Sequence, residues 1–474
     1  MLTLDYSNCL SDRVGPEHGL DPDALAGPLA DRARELTASL ERTRGTGWER
    51  WRLLADPAGT RRGHVEAVRT LAEKHAGRWE NLVVLGIGGS ALGNIALQAA
   101  LNPPTHNLMR ENRRGPRLFV LDNVDPANFA AVMDVCPPEK TLFNVISKSG
   151  ETAETAAQFM IVRDMLDKHT ADPASHIVAV TDPERGTMRK ICDEAGYDTL
   201  PVPEGVGGRF SVLSPVGLFS AAMCGIDIDA LLDGAHEMET VCRRENLDHN
   251  PAAVLATILV ELGKGRAHEP GVCKPNHVLM PYCNGLYLLA DWYRQLWAES
   301  LGKRHNTAGE EVFEGFTPIK ALGATDQHSQ VQLYREGPND KVFGFVEVES
   351  FGVRDVKIPG GLGVENLAYL EGKNMGALLN AEKRATEYAL VESRRPNYTI
   401  RFPRVDERAV GAFIMLWQMA TAYAGLMLGI DAYDQPAVET GKKATFGLMG
   451  REGFDQWQGK VEQALGGPGR IITQ

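Results

Sequence analysis

No two of the seven cysteines form a C-x-x-C pair; they fall singly at positions 9, 136, 192, 224, 242, 273 and 283. An odd count without framework spacing argues against a disulfide scaffold and for reduced thiols, so a cytoplasmic location is expected. Paired metal-ligand spacing is missing as well. Cys273 and His277 stand at i, i+4, but with no second pair they read as a strand-edge cysteine and a polar-loop histidine, and no metal is expected. A basic surplus is also lacking: 50 Lys and Arg against 62 Asp and Glu leave a net charge of −12. That excludes general attraction to nucleic acid or an anionic membrane, and an anionic substrate would need its own local positive site. No run of 18 apolar residues occurs, so no membrane span is expected. Met1 to Pro16 lacks the basic-then-apolar order of a signal peptide, and Ile471 to Gln474 is no targeting tail.

What is present is ordinary for a globular enzyme. The 474 residues, 43% hydrophobic and 24% charged, suggest two or three domains with a well-buried core. Leu25, Leu29, Ala33, Leu36 and Leu40 recur at helical spacing and mark a helical arm, assigned to residues 1–65. Short apolar runs then alternate with amphipathic stretches. Leu82 to Leu85, Leu118 to Leu121, Leu142 to Ile146 and Ile177 to Val180 read as buried parallel strands, and Thr152 to Asp167 as an intervening helix. Such alternation predicts an α/β domain, a parallel sheet covered by helices on both faces, over residues 66–249. A second α/β domain is expected over 250–433, with strands at Val278 to Met280, Val342 to Val346 and Tyr398 to Phe402. A long helix at Val410 to Leu428 belongs with it. A C-terminal helical arm, 434–474, is expected to begin near Asp434 with Pro436 in its first turn.

Two strand-to-helix turns carry chemistry. Gly86-Ile-Gly-Gly-Ser90 follows a strand and precedes a helix, which brings bare N–H groups and a helix dipole to one point. The same pattern is compatible with a dinucleotide fingerprint, Ala91 taking the third glycine position and Asp122 serving as the ribose acid. Ser90, however, puts a hydroxyl where a pyrophosphate meets backbone. In the second turn, Ser147-Lys-Ser-Gly-Glu-Thr152, hydroxyls, a lysine and a helix N-terminus converge as a phosphate monoester requires. Simple N-capping by Ser149 or Thr152 is the plainer alternative, but it uses one hydroxyl where this turn supplies several. Glu151 would repel such a ligand unless its side chain points away.

Single residues elsewhere admit two readings each. Arg209, after Gly207-Gly208, is either a loop arginine or an oxyanion stabiliser. Glu299 ends a stripe of Leu286, Leu289, Tyr293, Leu296 and Trp297. It is either a surface partner of Lys303 or a carboxylate base whose pKa rises beside aromatic side chains. His328, in Thr325-Asp-Gln-His-Ser329, reads as a solvated loop histidine or a catalyst. Gln435, Glu439 and Lys442 would share one helix face, catalytic or merely salt-bridged.

Taken together, these segments resemble the phosphoglucose isomerase family over nearly the whole chain. Glu204-Gly-Val-Gly-Gly-Arg-Phe-Ser211 and Tyr433-Asp-Gln-Pro-Ala-Val-Glu-Thr-Gly-Lys442 are similar to its two signatures. Ala298 to Lys303 and Asp326 to Ser329 are similar to its glutamate and histidine segments. The resemblance implies two SIS-type three-layer αβα domains with helical arms, and a cofactor-free interconversion of glucose 6-phosphate and fructose 6-phosphate in glycolysis and gluconeogenesis. It implies that Ser147, Lys148, Ser149 and Thr152 hold the phosphate, that Gly89 and Ser90 contact the sugar, and that Gln435 positions it. Lys442 and His328 would assist ring opening, Glu299 would shuttle the proton, and Arg209 would stabilise the enediolate. It further implies a homodimer in which the histidine comes from the neighbouring subunit. Pro436-Ala437 and Glu151 depart from the family's usual residues. The remaining alternatives are another aldose–ketose isomerase on the same scaffold that also acts on mannose 6-phosphate, a regulatory sugar-phosphate-binding protein, and a dinucleotide dehydrogenase.

Overall fold

Among the described residues, twelve strands form three sheets. They are β1 (Thr3–Asp5), β2 (Asn81–Leu85), β3 (Arg117–Leu121), β4 (Thr141–Ile146), β5 (Ile177–Thr181), β6 (Asp198–Pro201), β7 (Asn276–Pro281), β8 (Lys303–His305), β9 (Glu311–Glu314), β10 (Thr317–Lys320), β11 (Lys341–Val348) and β12 (Asn397–Phe402). The structure is a computed structural model describing residues 1–264, 273–467 and 469, so Ile471 to Gln474 lie outside the described residues.

The first sheet is wholly parallel, in the order β3-β2-β4-β5-β6. Every residue of β2, β4 and β5 is buried, which explains why these strands read as continuous apolar runs rather than alternating ones. The second sheet runs β1-β12-β11-β7-β10, with β12, β11, β7 and β10 parallel and β1 antiparallel at its edge. The N-terminal arm is therefore not all helix. Its first three strand residues close the edge of the second sheet, too short a segment for periodicity to reveal. Its main helices are Pro22–Ala26, Pro28–Thr43 and Arg61–His75.

Glu407–Leu428 is the spine of the core. By length and composition it could cross a membrane, yet 94% of its apolar window is buried inside the protein. It is apolar on all sides because helices Ile228–Val241, Pro251–Lys264 and Tyr287–Leu301 pack around it. From this spine Trp417 holds two side chains of Tyr287–Leu301: Tyr293 at 4.2 Å between ring centroids and Trp297 edge-on at 5.7 Å. Aromatic pairs of this kind are worth roughly 0.5–1.5 kcal/mol beyond their buried area. The helix that carries Glu299 is thus fixed along its inner face.

His277 corrects one expectation. It lies within β7 in the core and accepts a hydrogen bond from Trp297 Nε1 at 3.0 Å, instead of sitting in a polar loop. The C-terminal arm corrects another: its first helix is Val438–Leu448, not a helix from Asp434, and a second follows at Asp455–Leu465. The carbonyls of Ala432 and Asp434 and the side chain of Gln435 all accept from Arg209, which holds that segment out of a helix.

Candidate active site

Chain order and strand order diverge beside β2. The chain passes from β2 to β3 on one side and returns to β4 on the other, so a crevice opens beyond the carboxyl ends of β2 and β4. Both turns singled out above leave the sheet here, Gly86–Ser90 from β2 and Ser147–Thr152 from β4. Gly89 meets Gly208: a Cβ on Gly89 would stand 2.2 Å from the Gly208 carbonyl carbon. One side of Gly89 is thus packed against protein backbone. Ser211 Oγ donates to the Gly208 carbonyl at 2.6 Å and steadies the joint.

The β4 turn is organised by its own hydroxyls. Ser147 Oγ accepts from the Gly150 N–H and Ser149 Oγ from the Glu151 N–H, both at 3.1 Å. Gly150 has φ +77° and lies against the Met188 backbone, a conformation that L side chains rarely adopt. Thr152 occupies the cap position of helix Ala153–His169, but its side chain makes no capping bond. Simple capping by Thr152 therefore does not account for this hydroxyl. Lys148 is exposed, its Nζ 5.5 Å from the Trp48 ring centroid. Glu151 turns to Arg451, Oε2 to Nη2 at 3.0 Å, so the charge that would oppose an anion has a partner.

Arg209 gathers the remaining elements. Nε donates to Ser300 Oγ at 2.6 Å, Nη1 to Gln435 Oε1 at 2.9 Å, and Nη2 to the carbonyls of Ala432 at 2.6 Å and Asp434 at 3.0 Å. Phe210 anchors the next position, stacked on Trp51 at 5.0 Å and near Tyr433 at 5.4 Å. Burial pulls the Arg209 guanidinium below its ordinary value, while Glu299, Asp434 and Asp431 pull it back. An arginine stays charged through such shifts. Glu299 Oε1 lies 3.6 Å from Nη1, and its Oε2 accepts from Gln295 Nε2 at 2.9 Å. Gln295 in turn faces Gly88, where a Cβ would stand 3.0 Å from Nε2. The chain of contacts therefore runs from the β2 turn through Gln295 and Glu299 to Arg209. A cation fixed beside a carboxylate, with the glutamate side chain 28% exposed, can support proton abstraction next to a carbonyl.

Lys303 does not pair with the Glu299 carboxylate. Its Nζ donates to the main-chain carbonyls of Glu299 at 3.0 Å and Ser300 at 2.8 Å, closing the end of the helix. Burial, then Arg209, lowers its pKa, opposed by Asp434. Gln435 joins Arg209, whereas Lys442 points to Glu439 at 2.8 Å on an exposed face, so the three residues expected on one helix face divide. His328 is exposed in its turn and has no contact with the Arg209–Glu299 group among the described residues. Gln295, Ser300 and Asp434 were missed. Gln295 had a signal in its i, i+4 spacing to Glu299; Ser300 and Asp434 acquire their roles only through Arg209.

Comparison with known proteins identifies the family. The phosphoglucose isomerase family model matches residues 62–449. A glucose-6-phosphate isomerase of Carboxydothermus hydrogenoformans is 49% identical over 389 residues, covering 81% of this chain and 82% of that protein. One from Rubrobacter xylanophilus is 41% identical, covering 96% of this chain and 99% of its own length. The crystal structure of a hypothetical protein from Thermus thermophilus superposes with TM-score 0.82 at 36% identity, over 95% of this chain and all 100% of that one. That of a Chlamydia trachomatis glucose-6-phosphate isomerase, 22% identical, shares the fold with TM-score 0.81 over 98% of this chain and 92% of that one. The chain belongs to the phosphoglucose isomerase family.

Proposed function

We propose that this site interconverts glucose 6-phosphate and fructose 6-phosphate through an enediolate, with Glu299 as the base and Arg209 as its electrostatic partner. The observation that carries this is the 3.6 Å approach of a partly exposed carboxylate to a guanidinium held by four hydrogen bonds. The reaction oxidises one carbon of the substrate and reduces its neighbour, so its balance requires no external electron carrier. Ser147, Lys148, Ser149 and Thr152 hold the phosphate, and Gly89 and Ser90 contact the sugar. Lys442, with His328 of the partner subunit, moves the proton that opens the ring, and Gln435 keeps the substrate beside Lys442. Glu299 then takes the proton from carbon 2 and returns it to carbon 1, while Arg209 stabilises the oxyanion that forms between the two steps.

A homodimer follows from this reading. Its support is the exposed His328 turn together with apolar side chains left in solvent along 353–375: Val353, Val356, Leu362, Tyr369 and Met375. Exposed apolar groups in such number suit a permanent interface. A cytoplasmic location is supported by seven unpaired thiols, five of them buried.

The test is Glu299→Gln, assayed with fructose 6-phosphate beside the wild type. Turnover falls at least about 10³-fold while sugar-phosphate binding persists, because proton transfer is lost and the phosphate turn is untouched. Near-wild-type turnover would remove Glu299 as the base.

A further inference from the structure

Beyond Pro436 the chain forms a hairpin of two helices, Val438–Leu448 and Asp455–Leu465, and Lys442 lies on the first. Gly447 alone of these helical residues is buried. Among the described residues, and apart from the local Glu439 N–H to Pro436 carbonyl bond at its start, the hydrogen bonds and ion pairs of this hairpin stay within it, with one exception. The exception joins Arg451, in the turn between the helices, to Glu151 in the turn after β4, at 3.0 Å. Both ends of the pair are themselves held. Arg451 stands over the rings of Phe446 at 4.5 Å, in the first helix, and Phe454 at 5.4 Å, at the cap of the second. Glu151 Oε1 also accepts from Thr187 Oγ1 at 3.4 Å, which ties it to the body.

We propose that Glu151 and Arg451 form a clasp that sets Lys442 relative to the phosphate turn, making both of them positioning residues for ring opening. This rests on the assignment of Lys442 above. An ion pair with both side chains near half exposed adds little to stability. Its value lies in where it acts. A hexose phosphate fixes the distance from its phosphate to its ring oxygen, so a lysine that must reach that oxygen is best referenced to the turn that grips the phosphate. A weakly packed hairpin cannot hold such a distance on its own; one contact to that turn supplies the reference. The clasp also explains an acidic residue in an anion-binding turn. Without it, Glu151 would only repel the substrate.

The two accounts of Glu151 predict opposite signs. Full-length wild type, Glu151→Gln, Arg451→Gln, the double variant, Arg451→Lys and Lys442→Ala are compared by kcat and KM for fructose 6-phosphate and by melting temperature. The clasp predicts that Glu151→Gln and Arg451→Gln each lower kcat about tenfold, a misplacement effect, with melting temperature unchanged. The double variant falls no further than either single, and Arg451→Lys keeps most of kcat. A Glu151→Gln enzyme with unchanged kcat or improved kcat/KM overturns the clasp, as does additivity in the double variant. Loss in Arg451→Gln alone overturns it too, since that would reflect only the stacking on Phe446 and Phe454. Lys442→Ala separates the premises: normal kcat there removes the assignment of Lys442, whereas its loss beside an unaffected Glu151→Gln removes the clasp alone.

Discussion

Glu299 and Arg209 approach to 3.6 Å without hydrogen bonding to each other. The guanidinium directs its bonds to Ser300, Ala432, Asp434 and Gln435, and the carboxylate takes one from Gln295 through Oε2. Oε1 is left facing a cation with no hydrogen bond among the described residues, the state that the proposed role of Glu299 as proton carrier calls for. A direct hydrogen bond from the guanidinium to Oε1 would have occupied that oxygen.

Arg209→Lys separates charge from geometry. Lysine keeps the positive charge but cannot serve Ser300, Gln435 and two carbonyls at once. The expected loss in kcat is about 10²- to 10³-fold. Affinity for a phosphorylated hydroxamate that mimics the enediolate should fall in parallel with kcat/KM. An inhibitor affinity that stays at the wild-type value would show that Arg209 does not act on the oxyanion.

Mixed dimers test the origin of His328. A Glu299→Gln subunit paired with a His328→Ala subunit contains one site with both native groups if the histidine crosses the interface. Random mixing of the two inactive proteins should then recover about a quarter of wild-type activity, half the dimers each having one good site. No recovery after verified subunit exchange would place both residues in one subunit's site.

Much of this was legible in the chain, for identifiable reasons. Strands β2, β4 and β5 are buried on both faces, so their apolar runs announce them, and the turns that follow β2 and β4 inherit their positions. Long-range relations were not legible. That Gln435 faces Arg209 while Lys442 faces Glu439 depends on the helix starting at Val438, and the backbone bonds to Arg209 decide that start. Lys303 read as a charge partner of Glu299 because spacing cannot tell a carboxylate from a main-chain carbonyl. The Glu151–Arg451 pair joins residues 300 positions apart, beyond any local pattern. β1, three residues long, has no period to detect.

Stability should fall on the acid side before the carboxylates titrate. Burial lowers His64 to about 4 and His277 to about 3, against an ordinary 6.5. Below pH 6.5 the unfolded chain therefore binds protons that the folded chain refuses, and stability declines as pH falls from 6.5 toward 4 and then 3. His75 and His106 are lowered as well and act in the same direction. Asp198 and Asp326 have folded values below 3.8 and contribute only at lower pH. Melting temperature measured from pH 8 to 5 should be level above about pH 7 and drop below 6.5. A level profile down to pH 5 would mean that these histidines protonate within the fold.

Trp297→Ala tests the anchoring of the Glu299 helix. It removes a buried side chain packed on Trp417 and strips His277 Nδ1 of its donor, at an expected cost of about 3–5 kcal/mol. Denaturant melts should show that loss, with kcat reduced even under conditions where the variant is fully folded. Unchanged kcat in the folded variant would mean that the site does not depend on this anchor.

The central claim, proton transfer by a carboxylate through an enediolate, is tested most directly by following fructose 6-phosphate by NMR in deuterium oxide with purified protein and no added cofactor. The account predicts glucose 6-phosphate with deuterium partly incorporated at carbon 2, since the shuttled proton exchanges while it resides on Glu299. Conversion with no deuterium at any extent of reaction would point to direct hydride migration. No conversion at all, with binding intact, would contradict the assigned activity.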